Sequence, residues 1–195
     1  ALRDTNAVGL DINLGASQTI VTATEGTKLV LTGTIHTGST AGANLMVSFA
    51  GHGVTQVDGQ ITGLGSVLKT ADGQLILSGD NSYTGLTTIY GGVLTVRHDR
   101  ALGAGATGDF TRVSTGGQLQ LEGDGLNVSE TLFLQGYGGA GIGGSATPYD
   151  IGGGGLRNLG GTNEWSGQIV LSQPAYNAHA ATMIGVDSGS TLKLT

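Results

Sequence analysis

Apolar residues recur along this chain as short alternating triplets, with no 3.6-residue helical rhythm between them. The triplets are Leu29-Val30-Leu31, Leu75-Ile76-Leu77, Leu94-Thr95-Val96, Leu119-Gln120-Leu121, Leu132-Phe133-Leu134, Ile169-Val170-Leu171 and Leu192-Lys193-Leu194. Several follow glycine, as in GQLIL, GVLTV, GQLQL and GQIVL. Alternation of this kind predicts short strands with one face buried. Intervals between triplets are 19 residues from Leu75 to Leu94, 25 from Leu94 to Leu119 and 23 from Ile169 to Leu192. The gaps from Leu29 to Leu75 and from Leu132 to Ile169 are longer, and weaker strands at Met46-Val47 and Ile61-Thr62 divide the first of them.

A repeat near 20 residues built only of strands is the mark of a solenoid, in which each unit buries its apolar face only by stacking on the next. The whole of residues 1–195 therefore reads as one all-β segment, a parallel β-helix. A β-sandwich would show strands at closer spacing over a core rich in large aromatics. One Trp, five Tyr and three Phe in 195 residues do not supply such a core.

Composition sharpens this picture. Glycine supplies 38 of 195 residues, far above the usual frequency of about 7%. Together with Asn and Asp, it suits corners that need left-handed backbone. Only two prolines are present and the glycines keep no three-residue period, which excludes collagen. Leu134 to Gly161, LQGYGGAGIGGSATPYDIGGGGLRNLGG, breaks the rhythm; a flexible linker is one reading, but Ile142, Tyr149, Ile151 and Leu156 are apolar anchors that favour a protruding glycine-rich loop. Opening on Ala1 and closing on the strand-like STLKLT, the chain reads as a segment of something larger.

The clearest repeat spans 63–108. Its centre reads Leu75-Ile76-Leu77-Ser78-Gly79, then Asp80-Asn81-Ser82-Tyr83-Thr84-Gly85, then Thr87-Thr88 and Gly92-Val93-Leu94-Thr95-Val96. This order closely resembles the autotransporter-associated β-strand repeat, also called the passenger-associated transport repeat. The motif positions are Leu75, Leu77, Gly79, Asn81, Tyr83, Gly85, Thr87, Gly92, Leu94 and Val96. TNEWSGQIVL, Thr162 to Leu171, resembles a related element and adds Trp165 and Gly167. The resemblance implies a right-handed β-helix exported as the passenger of a Gram-negative bacterium, to its surface or beyond, by a C-terminal β-barrel.

Candidate chemistry is sparse. GAGATG at 103–108 satisfies the letter of a dinucleotide-binding fingerprint, but strand rather than helix follows it, so it reads as a turn. GGAGIGG and GGGG have only Asp150 nearby, too little for a calcium-binding β-roll. Glu122, Asp124 and Glu130, with Arg112 upstream, form the nearest acidic cluster that a polysaccharide lyase or hydrolase could use. His36, His52, His98 and His179 are singletons without zinc-ligand spacing. Trp165 and Tyr83 could stack on sugars, but each reads better as filling of a rung interior or corner. Asn127-Val128-Ser129 fits a glycosylation sequon by coincidence, and no Gly-x-Ser-x-Gly frame is present.

No catalytic residue, cofactor or metal site is therefore assigned. With a net charge of −6 and eight scattered basic residues, nucleic acid is not an expected partner. Cysteines are absent, which suits passage through an oxidising compartment, and no apolar run would insert this segment in a membrane. The expected role is an adhesin stalk or display scaffold at the cell surface. Its loops would touch a host or neighbouring cell, or a matrix glycan or protein. A filament subunit associating end to end, and a β-helix polysaccharide enzyme, are the alternatives.

Overall fold

Each circuit of the chain carries two or three short strands and returns to lie beside its own beginning. The computed structural model describes residues 4–39, 45–105, 108–135, 154–172 and 182–195. Among them there are 19 strands, no α-helix, and parallel pairing throughout. Parallel neighbours joined by crossovers of this length wind right-handed. The fold is a right-handed parallel β-helix, a β-solenoid.

The first wall stacks β1 (Asp4–Val8), β4 (Thr27–Leu31), β7 (Val54–Val57), β10 (Gln74–Leu77), the ends of the long strands β11 (Thr87–Val96) and β12 (Thr111–Glu122), β15 (Leu156–Gly160) and β18 (Ile184–Val186). The second wall is β3 (Gln18–Thr22), β6 (Met46–Gly51), β9 (Ser66–Lys69), the starts of β11 and β12, β14 (Leu132–Gln135) and β17 (Ile169–Ser172). The third wall is discontinuous. Its lower sheet holds β2 (Ile12–Asn13), β5 (Ile35–His36) and β8 (Ile61–Thr62), and its upper sheet holds β13 (Asn127–Val128), β16 (Thr162–Trp165) and β19 (Thr191–Leu194). Between the two sheets, the fourth and fifth rungs have no third-wall strand.

Register places like on like. Leu75, Leu94, Leu119, Leu156 and Ile184 are successive partners along the first wall. Leu31, Val57, Leu77, Val96 and Leu121 form a second inward column there. All but Ile184 are essentially inaccessible to water. Burying each such side chain contributes roughly 1.5–3 kcal/mol, which is why alternation is strongest on this wall. The second wall is less uniform, with Val47, Val67, Thr87, Thr111, Leu132 and Ile169 in one column.

The seven sequence triplets therefore belong to three different walls. Leu75, Leu94 and Leu119 mark true rung repeats. The 23-residue step from Ile169 to Leu192 instead runs from the second wall to the third. The gap from Leu29 to Leu75 hides a rung, because Thr55 occupies the stacking position between them. Of the expected glycine-rich loop, residues 136–153 lie outside the described residues. Its two ends are wall strands, β14 and β15.

Candidate functional site

Where the third wall lacks strands, side chains carry the rung-to-rung contacts. Asn81 is almost wholly buried. Its Oδ1 accepts the Ile61 amide of the rung below at 2.7 Å, and its Nδ2 donates to the Ala101 carbonyl of the rung above at 2.6 Å. One amide side chain so replaces a missing stretch of ladder on both sides, satisfying buried backbone groups that would otherwise be costly. Asn163 does similar work on the upper rungs. It accepts the Leu126 amide at 2.9 Å and donates to Gly160 and Gly123 carbonyls and to Asn158 Oδ1.

The two asparagines open the same cassette, Asn-x-aromatic-x-Gly, at Asn81-Tyr83-Gly85 and Asn163-Trp165-Gly167. Both aromatics are fully buried. Tyr83 shares a hydrogen bond with the Thr87 hydroxyl at 2.6 Å, while the Trp165 indole N–H donates to the Glu130 carbonyl at 3.0 Å. Both glycines sit where a rung crosses its neighbour too closely for a side chain. A Cβ at Gly85 would lie 2.4 Å from the Gly65 carbonyl oxygen, and one at Gly167 would lie 1.9 Å from that of Glu130. Leu75, Leu77, Leu94 and Val96 line the interior, and Thr87 faces inward from the second wall. Gly79 crosses against Gly59, and Gly92 turns the corner at φ +67°. These motif residues build the rung.

The same corner also holds the most unusual chemistry among the described residues. Two positions before the stacked second-wall residues Val67, Thr87, Thr111, Leu132 and Ile169 come Gly65, Gly85, Asp109, Glu130 and Gly167. Two adjacent rungs, about 4.8 Å apart, thus carry carboxyl groups where the flanking rungs carry glycine. Asp109 is 8% exposed and Glu130 7%. Glu130 Oε1 accepts the Thr111 hydroxyl at 2.7 Å. Among the described residues neither Asp109 oxygen has a hydrogen bond of good geometry, although the Phe110 amide lies close by. Burial pushes the Glu130 carboxyl up to about 8, against the Thr111 hydrogen bond and with help from Asp109. It pushes Asp109 up to about 6, offset in part by the Phe110 amide beside it. Burial and the nearby Glu130 carboxyl raise the Tyr83 phenol far above its ordinary value.

A cavity of about 250 Å³ opens at this pair, lined by Gly105, Gly108, Asp109, Ser129, Glu130, Thr131 and Gly167. A second, of about 260 Å³, shares Gly105, Ser129 and Glu130 with it and extends along the interrupted third wall.

The acidic cluster seen in sequence does not converge. Glu122 makes a bidentate pair with Arg97, Asp124 Oδ1 accepts the Thr162 amide, and Arg112 lies over the Phe110 ring. Of the four, only Glu130 lines the cavity, and Asp109 beside it was not among them. The histidines are dispersed as well. His36 bonds Thr62, His52 lies 3.9 Å from Asp72, His98 accepts the Arg100 amide, and His179 is outside the described residues. GAGATG reads as a turn in its described part, with Gly103, Gly105 and Gly108 all at positive φ before β12. Among the described residues, no group of three or more His, Cys, Asp or Glu gathers as a metal site.

Residues 68–96 match the passenger-associated-transport-repeat. The matched stretch runs from β9 through the Asn81–Gly85 corner to the end of β11, one full circuit of the solenoid from Leu68 to Thr88 and the first wall of the next. The chain thus carries an autotransporter passenger repeat, built into a β-helix. It is also 42% identical over 81 residues to the adhesin BmaC autotransporter of Brucella suis biovar 1 (strain 1330), an overlap of 42% of this chain and 2% of that protein. No solved structure matches the chain.

Proposed function

We propose that this chain is a non-enzymatic segment of a bacterial autotransporter passenger, displayed at the cell surface or released outside it. In this role it serves as an adhesin stalk or display scaffold. The observation that carries this reading is the placement of the passenger repeat. It is a full hydrogen-bonded circuit and the start of the next in a continuous solenoid, paired to the rungs before and after it, and so has the form of a structural unit. The adhesin named among its relatives supports the same role. Contacts with a host cell, a neighbouring cell or a matrix glycan or protein would fall to loops projecting from this rigid frame. Antibody raised against the chain should label intact cells of the source bacterium. Labelling only after the outer membrane is permeabilised would overturn surface display.

A further inference from the structure

We infer that Asp109 and Glu130 form a calcium-binding site between the fifth and sixth rungs. Two acidic residues, each two positions before one of two adjacent stacked strands and each more than nine-tenths buried, line one cavity. Asp109 presents two oxygens with no hydrogen bond of good geometry. Glu130 commits Oε1 to the Thr111 hydroxyl, leaving Oε2 for a ligand. Buried carboxylates short of donors are held only at a cost, unless a proton or a cation accompanies them.

Oxygen is the donor atom on every polar side chain lining the cavity, since Ser129 and Thr131 complete the set and neither His nor Cys is present. Such a set selects a hard cation. The Ser129 carbonyl oxygen faces Gly105, 3.5 Å from where a Cβ would stand, so main chain is accessible as well. Calcium takes six to eight oxygens in adaptable geometry and tolerates waters on an open side, whereas magnesium demands a near-ideal octahedron. A glycine-lined corner open on one side suits the former. Few protein donors imply an affinity of the kind found in extracellular modules, on the order of 10⁻⁴ to 10⁻³ M. The site would cross-link two rungs at the level where the third wall has no strand.

The chain contains one tryptophan, Trp165, whose indole N–H is bonded to the Glu130 carbonyl at 3.0 Å. Terbium(III) bound at the carboxyl pair therefore lies within energy-transfer range of that ring. Terbium titrated into the chelator-treated chain, with excitation selective for tryptophan, should give saturable sensitised emission that calcium displaces. Asp109→Asn and Glu130→Gln should each weaken terbium binding by more than about ten-fold. Asp72→Asn, an exposed turn carboxylate, should leave it unchanged. Saturating calcium should raise the Tm of the parent chain by on the order of 5 °C. It should not raise that of Asp109→Asn, whose metal-free Tm equals or exceeds the parent's and so shows it folded. Absence of saturable emission overturns the site, as does emission indifferent to Asp109→Asn. A Tm that ignores calcium while Asp109→Asn stabilises the chain also overturns it, because the pair then holds a proton alone.

Discussion

Asn81 and Asn163 hold adjacent rungs together in the same way at two levels of one solenoid, Asn81 where the third wall has no strand and Asn163 within β16. Each accepts a backbone amide from the rung below, Ile61 for the first and Leu126 for the second, and each is buried. Asn81 also donates upward to Ala101. Replacing Asn81 by Leu leaves the Ile61 amide and the Ala101 carbonyl buried without partners. The expected loss is about 2–4 kcal/mol, read as a fall in the urea midpoint at unchanged slope. Asn81→Asp keeps the acceptor but sets a buried carboxylate oxygen against the Ala101 carbonyl, so at neutral pH it should lose no less than the Leu variant.

Glycine at the crossing corner is sterically required. Gly85→Ala drives a methyl to within 2.4 Å of the Gly65 carbonyl oxygen, and Gly167→Ala to within 1.9 Å of that of Glu130. Both obstacles are backbone and cannot swing aside. Each variant should lose roughly 2 kcal/mol or more in equilibrium unfolding. Gly125→Ala, with open space around it, is strained only by its φ of +79° and should cost less, about 1 kcal/mol.

Without divalent metal, the Asp109–Glu130 corner makes stability fall as pH rises. Both groups have folded values raised above their unfolded ones, so the native state binds more protons than the unfolded chain between about pH 4.5 and 8. Their neutral forms are fully accommodated at the acid end of that window, and the penalty is complete above it. Tyr83 is the other titratable group facing this corner, and it stays neutral throughout. For Glu130 the effect is on the order of 3–5 kcal/mol. Urea unfolding in chelator should show the decline from pH 5 to 8, and Glu130→Gln should flatten it.

The Arg157–Asp187 pair joins the last two rungs through two hydrogen bonds of 2.8 and 2.9 Å, with both side chains about one-third exposed. Such a pair contributes little globally, about 0.5–1 kcal/mol after solvent screening. Its effect should be local. Asp187→Ala should accelerate amide exchange in β18 and β19 while leaving β10 and β11 unchanged.

The first wall was legible in sequence because its inward positions are nearly all leucine or valine at period two. Thr55 broke the pattern and hid a rung. The third wall was nearly silent, for β2, β5, β8 and β13 have two residues each, too short to show alternation. Its tightest links, from Asn81 and Asn163, are side-chain bonds that no hydrophobic pattern reports. The passenger repeat was readable because its corner needs particular residues, a capping amide, a filling aromatic and a crossing glycine. Asp109 and Glu130 were not seen as a pair. They stand 21 residues apart, and only the register of Thr111 on Leu132 brings them level. The one available signal was the departure from glycine two positions before each second-wall strand, which becomes visible only after the rungs are aligned.

The hydrogen bonds of the walls all run along the solenoid axis, and this sets how the chain carries load. Tension applied between its ends would open one rung at a time rather than shear whole sheets together. Each rung of some 20 residues advances the folded axis by about 4.8 Å, yet it spans roughly 70 Å once extended. A tether built this way yields in small steps and lengthens many-fold before it fails. Contacts between successive rungs re-form when the force is released.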